Sequence, residues 1–152
     1  MSQKKIKETS SSNRAKHFWL LKTEPNCFCW EEQLKAGIEP WDGVRNFQAR
    51  KNIYAMSVGD LALFYHTGKE RRVVGIVEVV SEAYPDPTDS EGKWPCFDVK
   101  TVEALEYPVE LKWMKLDSVL ENADFLRQGR LSVAELTKEE FDRVCLLGKT
   151  KV

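Results

Sequence analysis

Three β-rich segments follow one another through the middle of the chain, and they constrain the fold more than any other feature. Leu61-Ala62-Leu63-Phe64-Tyr65-His66 is the first. Arg72 to Tyr84 is long and rich in Val and Ile, and Pro95 to Tyr107 alternates Phe97 and Val99 with Asp98 and Lys100. β-branched and aromatic residues in such runs favour extended backbone. The short polar turn Thr67–Glu70 joins the first two segments as a hairpin. Gly75, inside the second, predicts a bend or bulge of the kind that curves barrels. An earlier strand is expected at His17–Thr23, ended where Pro25 removes a ladder donor. Leu131–Val133 reads as a short pairing segment.

Helices are expected between and after these strands. Trp30 to Ala36 reads as a short helix stopped by Gly37. Asn46 is placed to cap a helix running to about Met56, with Phe47, Ile53 and Tyr54 on one face. Leu116–Glu121 reads as another short helix. Thr137 and Glu140 form a capping box for a final helix, with Leu136 stapled against Phe141. Together these elements predict an α+β domain: a small β-barrel with surrounding helices.

A chain of 152 residues suits one such domain. The formal net charge is −1, unevenly spread. Residues 1–16 hold Lys4, Lys5, Lys7, Arg14 and Lys16 against Glu8 alone, and are expected to be a disordered basic tail. The ordered domain is expected over 17–147, with 148–152 as a short C-terminal tail. Its mildly acidic body argues against broad, nonspecific nucleic-acid coating but leaves room for a local basic mouth. Cys27, Cys29, Cys96 and Cys145 include no CxxC pair, and His17 and His66 are the only histidines, so no metal site and no cofactor are expected. No membrane span or secretory signal is evident. The protein is expected in the cytoplasm if bacterial and in the nucleus if eukaryotic.

Catalytic signatures are missing. There is no H-x-E with P-C-x-x-C for zinc deamination, no G-x-S-x-G nucleophile elbow and no phosphate-cradling G-x-x-x-x-G-K. His66 with Glu24 or Asp42 is the best acid–base set available, and no nucleophile accompanies it. Recognition is better supported. Five tryptophans are present. Trp19 reads as core, and Trp30 and Trp113 as packing residues. Trp41 and Trp94 stand at loop–strand junctions, where two indoles can sandwich a flat ring. Trp41 leads into an Asp-Gly turn, then Arg45, Asn46, Gln48 and Arg50 at a helix start. That mixture suits a stacked ring with hydrogen bonds to its edge, or an adjacent phosphate. Arg127-Gln128-Gly129-Arg130 is a second polar cluster, equally suited to phosphate and to local acids such as Asp124.

Five stretches carry a family resemblance: Phe18–Pro25, Trp41–Arg50, Phe64–His66, Ala83–Thr88 and Arg127–Val133. In this order they resemble the EVE domain, over roughly residues 17–147. The resemblance implies a PUA-like fold and kinship with YTH and ASCH domains. It also implies a reader of modified bases, such as methylated adenine in YTH domains or methylated or hydroxymethylated cytosine in EVE domains. Trp41 resembles the first cage tryptophan of the YTH pattern and Trp94 one on the far wall. Lys22 and Thr23 match the strand end lining that pocket. Arg127 and Gln128 match a backbone-contacting position. The loops between Tyr84 and Trp94 and before Arg127 are shorter than in the longer eukaryotic members, which bears on the pocket lid.

The expectation is a noncatalytic reader of a modified base in DNA or RNA, acting as a monomer. Trp41, Trp94, Lys22, Thr23, Asn46, Tyr65 and His66 would form the base pocket. Arg45, Arg127, Gln128 and Arg130 would hold phosphates. The alternatives are a hydrolase acting on a modified base or nucleotide, and a protein-interaction module with exposed tryptophans.

Overall fold

The computed structural model describes residues 16–150; the basic segment before them lies outside the described residues. The elements in chain order are β1 (Phe18–Thr23), α1 (Trp30–Ala36), β2 (Ile38–Trp41), α2 (Phe47–Ala55), β3 (Leu61–His66) and β4 (Arg72–Val79). There follow β5 (Tyr84–Pro85), β6 (Pro95–Glu110), α3 (Leu111–Leu116), α4 (Asp124–Arg127), β7 (Val133–Leu136) and α5 (Lys138–Leu147).

One seven-stranded sheet runs in the order β2-β6-β4-β3-β1-β7, with β5 paired to β6 off that path. The expected hairpin β3–β4 forms an antiparallel ladder, and β6 adds antiparallel to β4. β1 lies parallel to β3 and antiparallel to β7. The sheet does not close into the expected barrel: β2 and β7 end the path unpaired with each other, so it is open. A helix occupies the gap. α2 packs against both β6 and β7, and the Asn52 side-chain amide donates to the Val133 carbonyl at 2.7 Å.

β3 and β4 are buried along nearly their whole length because both sheet faces are covered. On one face Phe64 meets Trp30 and Trp41. On the other, Leu20 and Tyr65 face Leu111, Met114, Phe125 and Leu126. Gly75 does mark an irregularity, since the β4–β6 register shifts between Val73 and Gly75. A second reason for the glycine is packing: an added Cβ would sit 2.4 Å from the Trp30 ring. Trp19 is core as expected, and its indole N–H donates to buried Asp60 at 3.0 Å.

Several local expectations change. Ile38–Trp41 is a strand paired with β6, and Leu111–Leu116 is helical where Leu116–Glu121 was expected. On α2 only Ala49 and Ile53 are buried, while Phe47 and Tyr54 point outward. Trp113 is 58% exposed and does not serve the core. Beyond α5, the Gly148 carbonyl accepts from the Tyr107 N–H at 3.2 Å and the Thr150 hydroxyl accepts from the Glu106 N–H at 3.2 Å. Residues 148–150 therefore lie along β6 instead of trailing away as a tail. The capping box of α5 is formed as read from the sequence.

Candidate functional site

A cavity of about 340 Å³ opens at the C-terminal end of β1. Lys22 and Thr23 line it from the strand end, Cys27 and Phe28 from the following loop, and Ser132 from the lead into β7. Its remaining wall is continuous chain from Glu39 through Trp41 to Arg45. That volume lies at the small end of ordinary ligand pockets, roughly 300–1,000 Å³.

Trp41 combines two roles in one side chain. It is 7% exposed and sits nearly perpendicular to Phe64, 5.4 Å between centroids, and to Phe28 at 6.2 Å. The core thus fixes the indole while it still borders the cavity. The chain then turns at Gly43, whose φ of +79° is the left-handed conformation glycine adopts without strain. Asp86 anchors this turn. Its buried carboxylate accepts from the Gly43 N–H at 2.7 Å, the Arg45 guanidinium at 3.1 Å, and the Thr88 N–H and hydroxyl at 2.7 and 2.6 Å. Burial alone would raise its pKa. The hydrogen bonds from Thr88, Gly43 and Arg45 overcome that and hold it down to about 2.

Arg45 is therefore largely committed. It also donates to the Thr88 hydroxyl at 3.0 Å and to the Val44 carbonyl at 2.9 Å. Lys22 Nζ donates to the carbonyls of Gln128 and Gly129 at 3.1 and 3.3 Å, and burial lowers its pKa. The Thr23 hydroxyl donates to the Phe28 carbonyl at 2.9 Å, holding the loop that carries Phe28.

Of the expected base-pocket residues, Trp41 and Thr23 come together, and Arg45 joins them; Lys22 borders the cavity, but its ammonium lies 5.9 Å from the Tyr65 ring, on the Tyr65 side of the sheet. The other four lie elsewhere. Asn46 caps α2, its side-chain oxygen accepting from the Ala49 N–H at 2.9 Å. Tyr65 is buried on the opposite sheet face, because successive strand residues alternate sides and Phe64 takes the side facing Trp41. His66 is buried, with its Nε2 accepting from the Trp30 N–H at 3.0 Å and its Nδ1 2.8 Å from Glu70. A backbone N–H can only donate, so Nε2 must accept and Nδ1 carries the proton to Glu70. His66 thus secures the start of α1.

Trp94 does not form the opposite wall. The Asp89 carboxylate accepts from the Lys93 and Trp94 N–H groups at 2.7 and 2.8 Å, folding that loop onto the start of α2. Trp94 packs there on Phe47 and Arg50, with Arg45 between it and the cavity. Phe28 is the second aromatic wall instead. Arg127 is exposed and pairs with Asp124 at 3.4 Å within α4. Gln128 receives Lys22 through its carbonyl, while its side chain faces a separate groove with Gln48 and Asn52. Arg130 is exposed on the turn before β7.

Sequence reasoning missed Phe28, Glu39, Ser132 and the anchor Asp86. Phe28 sits between Cys27 and Cys29, with no motif of its own to mark it. Among the described residues, no group of three or more His, Cys, Asp or Glu side chains is gathered for a metal. No helix among them is long and apolar enough to cross a membrane.

Comparison with known proteins places this architecture. The EVE domain model matches residues 17–147. Thymocyte nuclear protein 1 of Gallus gallus is 35% identical over 192 residues, spanning 97% of this chain and 77% of that protein. Among solved structures, Rpa0253 from Rhodopseudomonas palustris is 41% identical with a TM-score of 0.83, covering 88% of this chain and 93% of its own. The human THYN1 protein, solved in complex with 5-methylcytosine containing DNA, is 33% identical with a TM-score of 0.78, covering 90% and 99%. The YTH domain of Zygosaccharomyces rouxii MRB1 shares the fold at a TM-score of 0.60 and 16% identity, covering 91% and 90%. The open β-sheet flanked by helices, with its cavity beside Trp41, belongs to a chain of the EVE domain family.

Proposed function

We propose that this protein binds nucleic acid and receives one modified base in the cavity beside Trp41, without catalysing a reaction on it. The carrying observation is the cavity itself, base-sized and bounded by Trp41 and Phe28. The relationship to human THYN1, a protein solved with methylated DNA, supports the same reading. Trp41 and Phe28 supply ring contacts. Glu39 and Asp42 offer carboxylates able to accept from an exocyclic amine. His66, the best acid–base candidate, has both ring nitrogens engaged away from this cavity.

A methyl group adds little by itself. Burying one carbon group is worth about 0.8 kcal/mol, roughly a fourfold preference over the unmodified base. Fluorescence anisotropy with oligonucleotides differing only in one central base (cytosine, 5-methylcytosine, 5-hydroxymethylcytosine or N6-methyladenine) tests the reading. One modified base should bind at least about fourfold tighter. Trp41→Phe, which preserves much of the packing on Phe64, should erode that preference. Equal affinity for every base, unchanged in Trp41→Phe, would overturn the proposal.

A further inference from the structure

Trp94 stands outside the cavity, but it is not isolated. Its ring lies 5.2 Å from that of Phe47, inclined by 42°. The Arg50 guanidinium sits 4.6 Å from the Trp94 ring and 4.8 Å from Phe47, and donates to the Lys93 carbonyl at 3.2 Å. Phe47 opens α2 and is 67% exposed. A packing role does not explain that exposure, because α2 is seated on the fold through Ala49 and Ile53.

The charge around this cluster is also suggestive. Arg50 and Lys51 have no carboxylate partner among the described residues, although Lys93 pairs with Glu91 at 3.0 Å. Phe47 is exposed and Trp94 half-buried, and accessible aromatic rings backed by cations are the elements of a surface on which bases stack while phosphates pass nearby. The cluster also adjoins the cavity. Arg45 lines the cavity and lies 5.9 Å from the Trp94 ring.

We propose that Phe47, Arg50 and Trp94 form a stacking platform for the nucleotide adjacent to the one held in the cavity, with Arg50 and Lys51 beside its phosphates. This rests on the reading that the cavity takes a base. The platform makes binding depend on a neighbouring base, through ring contact and without reading that base's identity.

The test uses single-stranded and duplex DNA oligonucleotides with one central 5-methylcytosine, each also made with an abasic site immediately 5′ or 3′ to it. Phe47→Ala should weaken binding to the intact oligonucleotide by roughly 5- to 150-fold, the range of one stacked base. The same substitution should have little effect when one of the two neighbours is abasic. Phe47→Trp should restore binding. Circular dichroism and thermal melting confirm that the exposed substitution leaves the fold intact. If the wild type prefers the modified base and Phe47→Ala binds as well as wild type, the platform is wrong while the cavity reading stands. An equal loss on intact and abasic oligonucleotides also overturns the platform. If the wild type shows no modified-base preference, the cavity reading fails and takes this inference with it.

Discussion

Asp86 governs the shape of the site without touching the space where a ligand would sit. Four donors converge on its carboxylate: the Gly43 N–H, the Arg45 guanidinium, and the Thr88 N–H and hydroxyl. Two of them belong to the chain that forms the cavity wall. Because the folded pKa is depressed to about 2, below the ordinary 3.8, this carboxylate stabilises the fold above about pH 4. That contribution, on the order of 2 kcal/mol, is lost as pH falls through about 2. Asp86→Asn should therefore be less stable than wild type by about this amount at pH 7 in urea unfolding. The difference should shrink between about pH 4 and pH 2, as the wild-type carboxylate itself protonates. A difference that stays constant across that range would show that Asp86 acts by shape alone. At this scale the sequence was deceptive about polar side chains. Asn46, Arg45 and His66 are residue types suited to a ligand's edge, yet the backbone or a nearby acid claims most of their hydrogen-bonding capacity. Chain spacing does not reveal which partner a polar group will find.

Among the elements, α1 and β4 are interlocked. The Trp30 indole lies against Gly75, where any Cβ would meet ring atoms at 2.4–2.6 Å. His66 on β3 accepts from the same residue's backbone N–H. Gly75→Ala should destabilise the domain by about 1–3 kcal/mol through overpacking, measured by chemical denaturation. Adding Trp30→Leu should recover part of that loss if the clash is the cause; an undiminished or purely additive loss would point to the backbone instead. Strongly patterned elements were the most legible. The apolar runs of β3 and β4 and the capping box of α5 announce themselves locally. β2 did not, because Ile38-Glu39-Pro40-Trp41 has too little pattern in four residues and is extended through its pairing with β6.

Over the whole molecule, charge sets a limit on how the protein meets a polyanion. The net charge is −1, and Arg45 and Arg127 are each paired with an acid. Of the several cations without such a partner among the described residues, Arg50 and Lys51 stand on α2 beside Trp94 and Arg130 shortly precedes Ser132 of the cavity, and these three are the candidates for phosphate contact. The slope of log affinity against log salt should be shallow, on the order of −2 to −3 for duplex DNA, as expected for about three phosphate contacts. Titrations from low to physiological salt would check this. A slope several times steeper would require a broader basic surface than the one found here.

The sequence by itself determined the α+β composition, the β3–β4 hairpin and the final capped helix, since each depends on local pattern. Tertiary structure alone decided that the sheet stays open with α2 across its gap, and that Phe28 rather than Trp94 faces Trp41. It also decided that Asp86 claims Arg45. These are long-range choices. They turn on which sheet face a strand residue presents and which distant donor reaches a buried acceptor, and neither is encoded in the spacing of neighbours along the chain.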